Sequence, residues 1–572
     1  MFMRIKKSGP RQYLQIVENK RVNGKTVQHV IATLGRADQM KGSGALDSLL
    51  ASGARFSESA LVITAHKRGD TTSVRSLKIG PALLFERLWK EDGLPDLLER
   101  FLDGRKFRFS VERAIFLSVL HRLCVSGSDR AAEHWKEGYK IEGVEDLGLH
   151  HLYRAMAWLG ERLPDSQQDK APSAGKTDEE SGRGTPPTTR FTKDLIEESL
   201  FKSRRTLFSS LSVVFFDTTS IYFEGEGGGE DLGRRGKNKD HRPDLKQMVV
   251  GMVLDQDGFP LFTEMWPGST TDVKSLVPVV ERLRSRFGIE TVCIVSDRGM
   301  ISNETIGKLE KMVGISYILG ARMRSQKVIR EEVLSRGGRY REVHPEKSSY
   351  NDPSPLKVKE VYVDNKRYVV CLNEAQARKD ALDREAILAS LKTTLSRGDK
   401  SLVGNKGYRR YIKSGGKEAV FTIDHEKAGK EARYDGKWVL VTNTDLSTEE
   451  VALQYKRLWM VESTFRTMKS VLVTRPIYHQ SKAAIRGHVF CSFLALRMMV
   501  LLRRKVAEMG KKVEWQRAMQ ELDEITLTEI SHNNKGYQLR SDVRSNASIL
   551  LRAAGVKLPP TLTPMGNTAP NE

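Results

Sequence analysis

The stretch from residue 212 to residue 324 constrains the fold most, because its hydrophobic pattern changes partway along. Three β-type runs come first, in "SVVFFDTTSIYF" and in "LKQMVVGMVLDQDGFPLFTEMW", where Asp257-Gly258 marks a hairpin turn. Helical and β-type runs then alternate through "TDVKSLVPVVERLRSRFG", "TVCIVSDRG", "NETIGKLEKMVG" and "SYILGAR". Three strands followed by this alternation predict an α/β fold, with a mixed sheet and helices packed on its faces.

Two of the predicted strands end in an aspartate. Asp217 follows four large apolar residues, and a turn is expected at residues 217–219. Asp297 closes the run "VCIVSD". An aspartate at a strand end often forms a turn or caps a helix, which is an ordinary structural role. Two of them in one sheet also allow the alternative that both carboxylates point into one site.

A third carboxylate, Glu462, lies on a predicted helix. The sequence "STEE" at residues 447–450 has the pattern of a capping box, so we expect one helix to begin there and to run through "YKRLWMVESTFRTMKS". Apolar residues at three- and four-residue steps predict a stripe that faces the core: Leu458, Val461, Phe465, Met468 and Leu472. A neighbouring stripe is aromatic and charged: Tyr455, Trp459, Glu462, Arg466 and Lys469.

Glu462 has two interpretations. It can be a surface glutamate that pairs with Arg466 and Lys469 along the helix. It can also join Asp217 and Asp297, since three carboxylates on two strands and a helix can hold two divalent cations roughly 3.5–4 Å apart for phosphodiester chemistry. Hard oxygen ligands favour magnesium or manganese over zinc.

The charge balance favours a polyanionic partner. The 572 residues contain 94 Lys+Arg against 72 Asp+Glu, a formal net charge of +22. Binding to phosphates would release counterions and drive association, so nucleic acid is the favoured partner. Composition alone would equally suit a ribosomal or membrane-surface protein. Basic residues beside the carboxylates, such as Arg298, would keep the site attractive to phosphate.

Other features indicate a cytoplasmic protein with no membrane partner. The four cysteines are far apart and have no paired spacing, which is typical of buried thiols: Cys124, Cys293, Cys371 and Cys491. The start, "MFMRIKKSGPRQYLQ", lacks the apolar run of a signal peptide. The most apolar stretch, "VFCSFLALRMMVLL", is short for a membrane span and contains Arg497.

Pattern changes divide the chain into six predicted segments. The N-terminal region, expected to bind DNA through its basic residues, combines a basic β-hairpin, turning at Asn23-Gly24, with helices that begin near Pro81 and behind Ser110. The following segments are a flexible linker, the first part of a core, a β-rich insertion, the second part of the core with the Glu462 helix, and a C-terminal region with a disordered tail. The boundaries are 1–163, 164–190, 191–324, 325–446, 447–510 and 511–572.

Three motifs in this order, "FFDTTS", "VSDRG" and "YKRLWMVESTFRTMKS", resemble the DDE transposases of bacterial insertion sequences. The resemblance is to the insertion-sequence-four type and runs from about 210 to 505, with "KDHRPDLKQ", "RPIYH" and "IRGHV" as further matches. It implies an RNase H-like mixed sheet flanked by helices, with a β-rich insertion domain before the third carboxylate. It also implies that Asp217, Asp297 and Glu462 are a catalytic triad that binds two Mg²⁺ or Mn²⁺ ions.

The resemblance further implies contacts to double-stranded DNA, at terminal inverted repeats and at a target, by a dimer in a synaptic complex. Tyr455 and Lys469 match residues that contact the cleaved end. The other expected DNA contacts are Arg466, Trp459, Arg298, Arg242 and Lys246. One departure is Leu458, where the family signature has arginine, so a substitute cation is expected from Lys456, Arg457 or elsewhere. The insertion would cover the site, where Trp438 or Trp459 could stack on a base; Trp438 also suits a core position.

Three functions remain open at this point. The favoured one is a magnesium-dependent transposase that cleaves transposon ends and joins them to target DNA, in the bacterial nucleoid. A nuclease of the same fold would only hydrolyse, and a derived DNA-binding repressor would do neither. His241, His479 and His488 fit no zinc spacing and are interpreted as phosphate contacts or core residues.

Overall fold

The structure is a computed structural model, and it describes residues 2–22, 25–54, 58–69, 72–164, 189–204, 213–225, 227–228, 232–236, 242, 244–344, 356–396, 410–415, 420–532 and 535–565. Its strands are β1 (Phe2–Ser8), β2 (Arg11–Val22), β3 (Lys25–Arg36), β4 (Thr72–Lys78), β5 (Val213–Tyr222), β6 (Gln247–Asp255), β7 (Pro260–Pro267), β8 (Val292–Ser296), β9 (Ile315–Gly320), β10 (Arg341–Val343), β11 (Leu356–Val363), β12 (Lys366–Asn373), β13 (Ile412–Gly415), β14 (Val420–Ile423), β15 (Lys437–Thr442), β16 (Thr526–His532), β17 (Lys535–Arg540) and β18 (Leu562–Pro564).

Its α-helices are α1 (Ala37–Gly42), α2 (Ala45–Ala54), α3 (Glu58–Arg68), α4 (Gly80–Glu91), α5 (Leu94–Leu102), α6 (Val111–Cys124), α7 (Asp129–Trp135), α8 (Leu149–Leu159), α9 (Thr192–Arg204), α10 (Leu276–Ser285), α11 (Asn303–Glu310), α12 (Glu374–Ser396), α13 (His425–Ala432), α14 (Thr448–Lys456), α15 (Trp459–Ser470), α16 (Lys482–Glu508), α17 (Trp515–Asp523) and α18 (Ser545–Ala553).

A nine-stranded mixed sheet, in the order β10-β11-β12-β15-β9-β8-β5-β6-β7, forms the centre of the protein. Strands β5, β6 and β7 form an antiparallel meander, and β8 and β9 join on the other side of β5 in parallel pairing. The predicted mixed sheet is therefore confirmed. The hairpin between β6 and β7 also turns where it was predicted, with Gly258 in the left-handed region at a φ of 77°.

The turn predicted at residues 217–219 is wrong, because β5 continues through them. Asp217 pairs with Met252, and Thr219 pairs with Val250, on the neighbouring strand β6. The antiparallel ladder supplies the backbone hydrogen bonds that a turn would otherwise have to replace, so the polar residues stay extended. Asp217 thus lies in the middle of a strand rather than at its end.

The strands predicted for the insertion at 325–446 extend the central sheet instead of forming a sheet of their own. Strand β15 pairs antiparallel with β9, and β12, β11 and β10 follow outward. This pairing satisfies the edge of β9, which would otherwise expose its backbone groups. Only β13 and β14 of this segment form a separate two-stranded sheet among the described residues.

Different hydrophobic cores lie on the two faces of the central sheet. Val213 and Phe215 of β5 belong to the core that includes residues of α14, α15 and α16. Val214 and Phe216 belong to the opposite core, together with residues of α10 and α11. Because side chains alternate along a strand, a residue's position in β5 decides which group of helices it faces.

Helices α6 and α8 pack on the long helix α16, which ties the N-terminal half to the end of the core. Helix α16 is the one helix of the described residues that is long and apolar enough to cross a membrane, but 83% of its most apolar window is buried inside the protein. Arg497 in this helix donates two hydrogen bonds to the Asp92 carboxylate from its Nη2 atom, at 3.0 and 2.9 Å. Ser110 caps α6 and Pro81 lies in the first turn of α4, as predicted.

Both ends of the chain contain β-structure beyond what was predicted. The basic hairpin is confirmed by the pairing of β2 with β3, although its Asn23-Gly24 turn lies outside the described residues, and β1 adds a third strand. Strands β16, β17 and β18 form a four-stranded sheet with β4. The tail predicted to be disordered therefore contains β18. This strand pairs with β17, with Leu562 opposite Leu539. The linker prediction falls almost entirely on residues 165–188, outside the described residues.

A buried ionic network fastens α9 to the edge of the sheet and to α10. Lys193 lies 2.7 Å from an oxygen of Asp194 and donates to the carbonyl of Thr263 on β7 at 2.8 Å. Arg282 lies 2.6 Å from Glu197 and 3.0 Å from Asp194. These charges are almost fully buried, so each depends on its partners to offset the cost of leaving water.

We expect Arg282→Met to lower the free energy of unfolding by about 3–5 kcal/mol, because it leaves Asp194 and Glu197 buried with one cation fewer. Urea denaturation followed by circular dichroism measures the change. The matched control is Lys308→Met, which removes an ion pair whose partners are 54% and 78% exposed, and should change stability little. Equal stability of the two variants would contradict a supporting role for the network.

Candidate active site

Asp217 and Asp297 lie on neighbouring parallel strands. Phe216 of β5 and Ser296 of β8 are register partners, and the Ser296 hydroxyl donates to the Phe216 carbonyl at 2.8 Å. Each aspartate is the residue that follows one of these partners. Neighbouring strands are about 4.8 Å apart, so the register alone brings the two carboxylate-bearing positions side by side.

Both aspartates face the same side of the sheet. Phe215 precedes Asp217 by two positions, and Val295 precedes Asp297 by two positions; both lie in the core that also contains α15. Asp297 keeps an extended backbone, with a φ of −75° and a ψ of 164°, so the alternation of β8 continues through it. The two carboxylates are half-buried, and an Asp217 oxygen accepts a hydrogen bond from the Thr218 amide at 2.7 Å.

The helix that carries Glu462 is shorter than predicted. The capping box is confirmed: Ser447 Oγ accepts from the Glu450 amide at 3.2 Å, and Glu450 accepts from the Ser447 amide at 2.9 Å. The helix then ends at Lys456, and α15 begins at Trp459. The prediction of one continuous helix is wrong because the amides of 457, 458, 460 and 461 bond three residues back, which tightens the backbone between α14 and α15.

Tyr455, at the end of α14, contacts one of the aspartates directly. Its hydroxyl donates to Asp297 Oδ1 at 3.0 Å. Burial, followed by the charge of Asp297, raises the pKa of Tyr455 above its ordinary value, so the phenol stays a donor. A Cβ at Gly320 would collide with this hydroxyl, which makes glycine the residue that leaves it room.

Glu462 is exposed at the border of α15, while its neighbours Val461 and Phe465 are buried against the sheet. Helix α15 contacts β5, the strand of Asp217. The structure therefore places Glu462 on the helix that covers the face of the two aspartates. In the part of the chain that the structure describes, the carboxylate oxygens of these three residues do not all lie within 4.8 Å of one another.

The cations expected around the carboxylates differ in exposure. Arg298 and Arg466 are exposed and Lys469 is half-buried, while Trp459 is 62% exposed at the start of α15. Arg242 is exposed and pairs with Asp244 at 2.9 Å, and Lys246 is half-buried.

The replacement of the signature arginine by Leu458 has a structural consequence. Leu458 is buried in the core, as the apolar stripe predicted. Arg457 Nη2 donates to the carbonyl of Gln256 at 2.5 Å, and its guanidinium lies 6.0 Å from the Phe215 ring centroid. This side chain is thus directed at the sheet. Trp438 is half-buried on β15 and packs against the core, which agrees with the core interpretation of that residue.

A different cluster brings three metal-ligating side chains together. The ligand atoms of Asp129, His479 and His488 lie within 4.8 Å of one another. Arg122 also belongs to this cluster, with its Nη2 atom 2.9 Å from His488 Nδ1 and 3.6 Å from Asp129. His488 Nε2 lies 3.1 Å from the Thr474 carbonyl. Both ring nitrogens of His488 are therefore engaged, and a guanidinium occupies the position beside them.

The electrostatics of this cluster fit an ionic core contact better than a cation site. Burial would raise the pKa of Asp129, but the hydrogen bond with His479 and the charge of Arg122 hold it well below its usual value. The cluster joins α6 and α7 to the loop that follows α15 and to α16. His479 and His488 are thus core residues, one of the alternatives that their sequence allowed; His241 lies outside the described residues.

Comparison with protein families decides the assignment. Residues 208–498, just over half of the chain and including Asp217, Asp297 and Glu462, match the family model described as the transposase DDE domain. The chain belongs to the DDE transposases. Residues 3–65 of this transposase match the N-terminal domain of the IS1634 family transposases, which covers the β1–β3 sheet and the helices after it. The predicted membership of the DDE transposases of bacterial insertion sequences is confirmed, and the insertion-sequence-four type stays a prediction.

Solved structures give a slighter likeness. The transposase is similar to the chain in the "Mos1 transposase paired-end complex with left transposon end", with 13% identity and a TM-score of 0.14 over 38% of this chain. The matched part of the transposase spans 64% of that chain's length. A TM-score this low supports no conclusion about the fold. A comparison with curated proteins gives no match.

Some residues near the aspartates were not singled out in the sequence. Asp272 accepts a hydrogen bond from Thr218 Oγ1 at 2.6 Å, and Arg322 donates to the carbonyls of Arg298 and Gly299 at 3.0 Å each. Asp272 precedes a helix and resembles an ordinary cap in the sequence. Its contact depends on the continuity of β5 through Asp217, which turns Thr218 toward Asp272, and no local sequence pattern indicates this.

The buried histidine predicts a pH dependence. Burial and the charge of Arg122 lower the pKa of His488 from 6.5 to about 3. The unfolded chain binds a proton on this residue below pH 6.5, whereas the folded chain does not, so stability falls as the pH drops through the window from 6.5 to about 3. We expect the melting temperature to decrease through this window, as measured by calorimetry in a pH series.

His488→Asn should flatten that decrease, because the amide can take part in hydrogen bonding but does not titrate. Asp129 and His121 face the same cluster, and the lowered pKa of His121, about 4, acts in the same direction. The exposed residue His134 provides the control variant His134→Asn, which should leave the slope as it is. An unchanged slope in His488→Asn would contradict the buried, neutral state of this ring.

Proposed function

We propose that this transposase cleaves phosphodiester bonds at the ends of a DNA element and joins those ends to target DNA. One observation supports the proposal above others: Asp217 and Asp297 follow register partners on adjacent strands and face the helix that carries Glu462. The sheet that holds them, with an antiparallel meander and two parallel strands, is proposed to be an RNase H-like core. The three carboxylates would form its active site.

Two divalent cations, Mg²⁺ or Mn²⁺, are the proposed cofactors. The donor set fits them, because carboxylate oxygens on a strand pair and a facing helix are hard ligands without a competing thiol or imidazole among the three. Asp217, Asp297 and Glu462 would hold the ions. When bound, such a pair activates the attacking oxygen and stabilises the leaving oxygen of an in-line displacement.

The chain's own residues would prepare the site. Tyr455 orients Asp297 through the hydroxyl contact, and the Thr218 amide orients Asp217. Exposed Arg298 and Arg466 would attract the DNA backbone and offset the repulsion between phosphate and the carboxylates.

Contacts with DNA are proposed to extend over several elements. Tyr455, Lys469, Arg466, Trp459, Arg298, Arg242 and Lys246 are the proposed contacts near the cleaved end. The basic three-stranded sheet at residues 2–36 would recognise the terminal inverted repeats, in keeping with the match of residues 3–65. Pairing of two ends in a synaptic complex implies a dimer on DNA.

Two alternatives make different predictions about products. A hydrolytic nuclease with the same site would cut end DNA but never join it to a target. A DNA-binding repressor would neither cut nor join. Incubation of the protein with labelled end DNA and a plasmid separates these outcomes, because joined products appear only in the transposase case.

Glu462→Gln removes the charge of the third carboxylate and keeps its size. We expect cleavage of end DNA to fall by roughly 100-fold or more, with DNA binding retained in a mobility-shift assay. The control is Glu304→Gln on α11, which has an exposed glutamate and should cleave like the parent. Full cleavage by Glu462→Gln would contradict the proposed triad.

Tyr455→Phe removes the hydroxyl that donates to Asp297 and keeps the aromatic ring. We expect cleavage to slow by about 10- to 100-fold, since a hydrogen bond to a charged group contributes about 1.5–3 kcal/mol. Tyr362→Phe, at a tyrosine that is 54% exposed on β11, is the matched control. Single-turnover cleavage rates test the pair, and equal rates would show that Tyr455 does not support the site.

A further inference from the structure

The face of the sheet behind the two aspartates contains a cavity of about 370 Å³. Its lining includes Thr218, Asp272, Gly299 and Arg322. Thr218 follows Asp217 on β5, and Gly299 is two residues beyond Asp297. The cavity therefore borders both of the segments that carry the proposed metal ligands, from the side opposite to the carboxylates.

The backbone ladder does not hold these segments together at the aspartates themselves. In the described residues, the parallel pairing of β5 with β8 ends at Phe216 and Ser296, one residue before each aspartate. Past this point, other contacts must fix the distance between the two segments. Side chains at the cavity supply them.

Asp272 lies between the two segments. Its Oδ1 atom accepts a hydrogen bond of 2.6 Å from Thr218 Oγ1. Its Oδ2 atom lies 3.1 Å from the point where a Cβ of Gly299 would be, so the loop after Asp297 lies directly against this carboxylate. A larger residue at position 299 would have to displace one of the two.

Arg322 holds the same loop from the end of β9. Its Nε and Nη2 atoms donate to the carbonyl oxygens of Arg298 and Gly299, each at 3.0 Å. The fork geometry of the guanidinium fixes two successive carbonyls at once. Arg322 therefore fastens the loop after Asp297, and Asp272 lies between this loop and β5, to which Thr218 binds it.

We propose that Asp272 is a positioning residue that sets the separation between Asp217 and Asp297 by bridging Thr218 and the Gly299 loop. This inference rests on the proposed function, because the separation matters only if the two carboxylates share cations. Asp272 itself faces away from them, since Thr218 points to the other side of the strand. Loss of the bridge would loosen the ligand pair and weaken the binding of divalent cations.

The test measures Mn²⁺ binding by electron paramagnetic resonance in the full chain without DNA, together with the Mg²⁺ concentration for half-maximal cleavage. Asp272→Ala should raise the Mn²⁺ dissociation constant and the half-maximal Mg²⁺ concentration by about 10-fold or more each. This is the effect expected when a hydrogen bond to a charged group is lost. Asp272→Asn should stay within about threefold of the parent, because its amide oxygen can still accept from Thr218. A merely structural role would leave the Mn²⁺ affinity of the folded Asp272→Ala variant unchanged.

Thr218→Val provides a second variant that removes the donor while nearly keeping the shape of the side chain. It should reproduce the weaker Mn²⁺ binding of Asp272→Ala while still unfolding in one cooperative transition, which keeps the test decisive if Asp272→Ala folds poorly. Parent-like Mn²⁺ binding by Thr218→Val overturns the inference.

Asp217→Asn separates failure of the inference from failure of the proposed function. If Asp217→Asn loses Mn²⁺ binding and cleavage while Thr218→Val retains both, only the role of Asp272 is wrong. If Asp217→Asn itself binds Mn²⁺ and cleaves like the parent, the proposed triad and the inference are both overturned.

Discussion

The parallel pairing of β5 with β8 is the constraint on which the site depends. A shift of one residue in this register would turn Asp217 or Asp297 to the opposite face of the sheet, because side chains alternate with a period of two. Apolar residues before each aspartate prevent the shift: Phe215 and Val295 are buried in one core, and Phe216 and Ile294 in the other. Shifting either strand by one residue would exchange these side chains between the two cores and force both cores to repack, so ordinary core packing also determines where the carboxylates point.

The remaining elements bring partners to that face and hold them there. The short turn between α14 and α15 lets Tyr455 reach Asp297 while Glu462 remains at the exposed border of the next helix. Helix α16 packs on α6 and α8, and the bond between Arg497 and Asp92 connects it to the end of α4. Helix α16, which also contacts α15, therefore connects the site to segments that are far from it in sequence. The cluster around His488 contributes to the same connection rather than to cation binding.

Local patterns in the sequence predicted the parts of the structure that depend on local physics. The capping box at Ser447, the cap at Ser110 and the turn at Gly258 rely on contacts within a few residues, and all three are present. The continuity of β5 through Asp217 depends on β6, whose ladder overrides the turn tendency of aspartate and threonine. The break after Lys456 and the addition of β15 to the central sheet likewise depend on residues that are distant in sequence, and a local sequence pattern cannot identify them. For the candidate site, the family motifs identified the acidic residues, whereas Asp272 required the strand to be placed first.

The sheet that contains β4 has a consequence for synthesis of the protein. Ser76 of β4 and Thr528 of β16 are register partners separated by 452 positions, and their hydroxyls lie 2.9 Å apart. A nascent chain leaving the ribosome cannot close this ladder until β16, at residues 526–532, has been translated. Until then β4 has an open edge, which is a surface that favours pairing with other strands. Premature termination shortly before residue 526 would leave that edge permanently uncovered and would make such truncated products prone to aggregation.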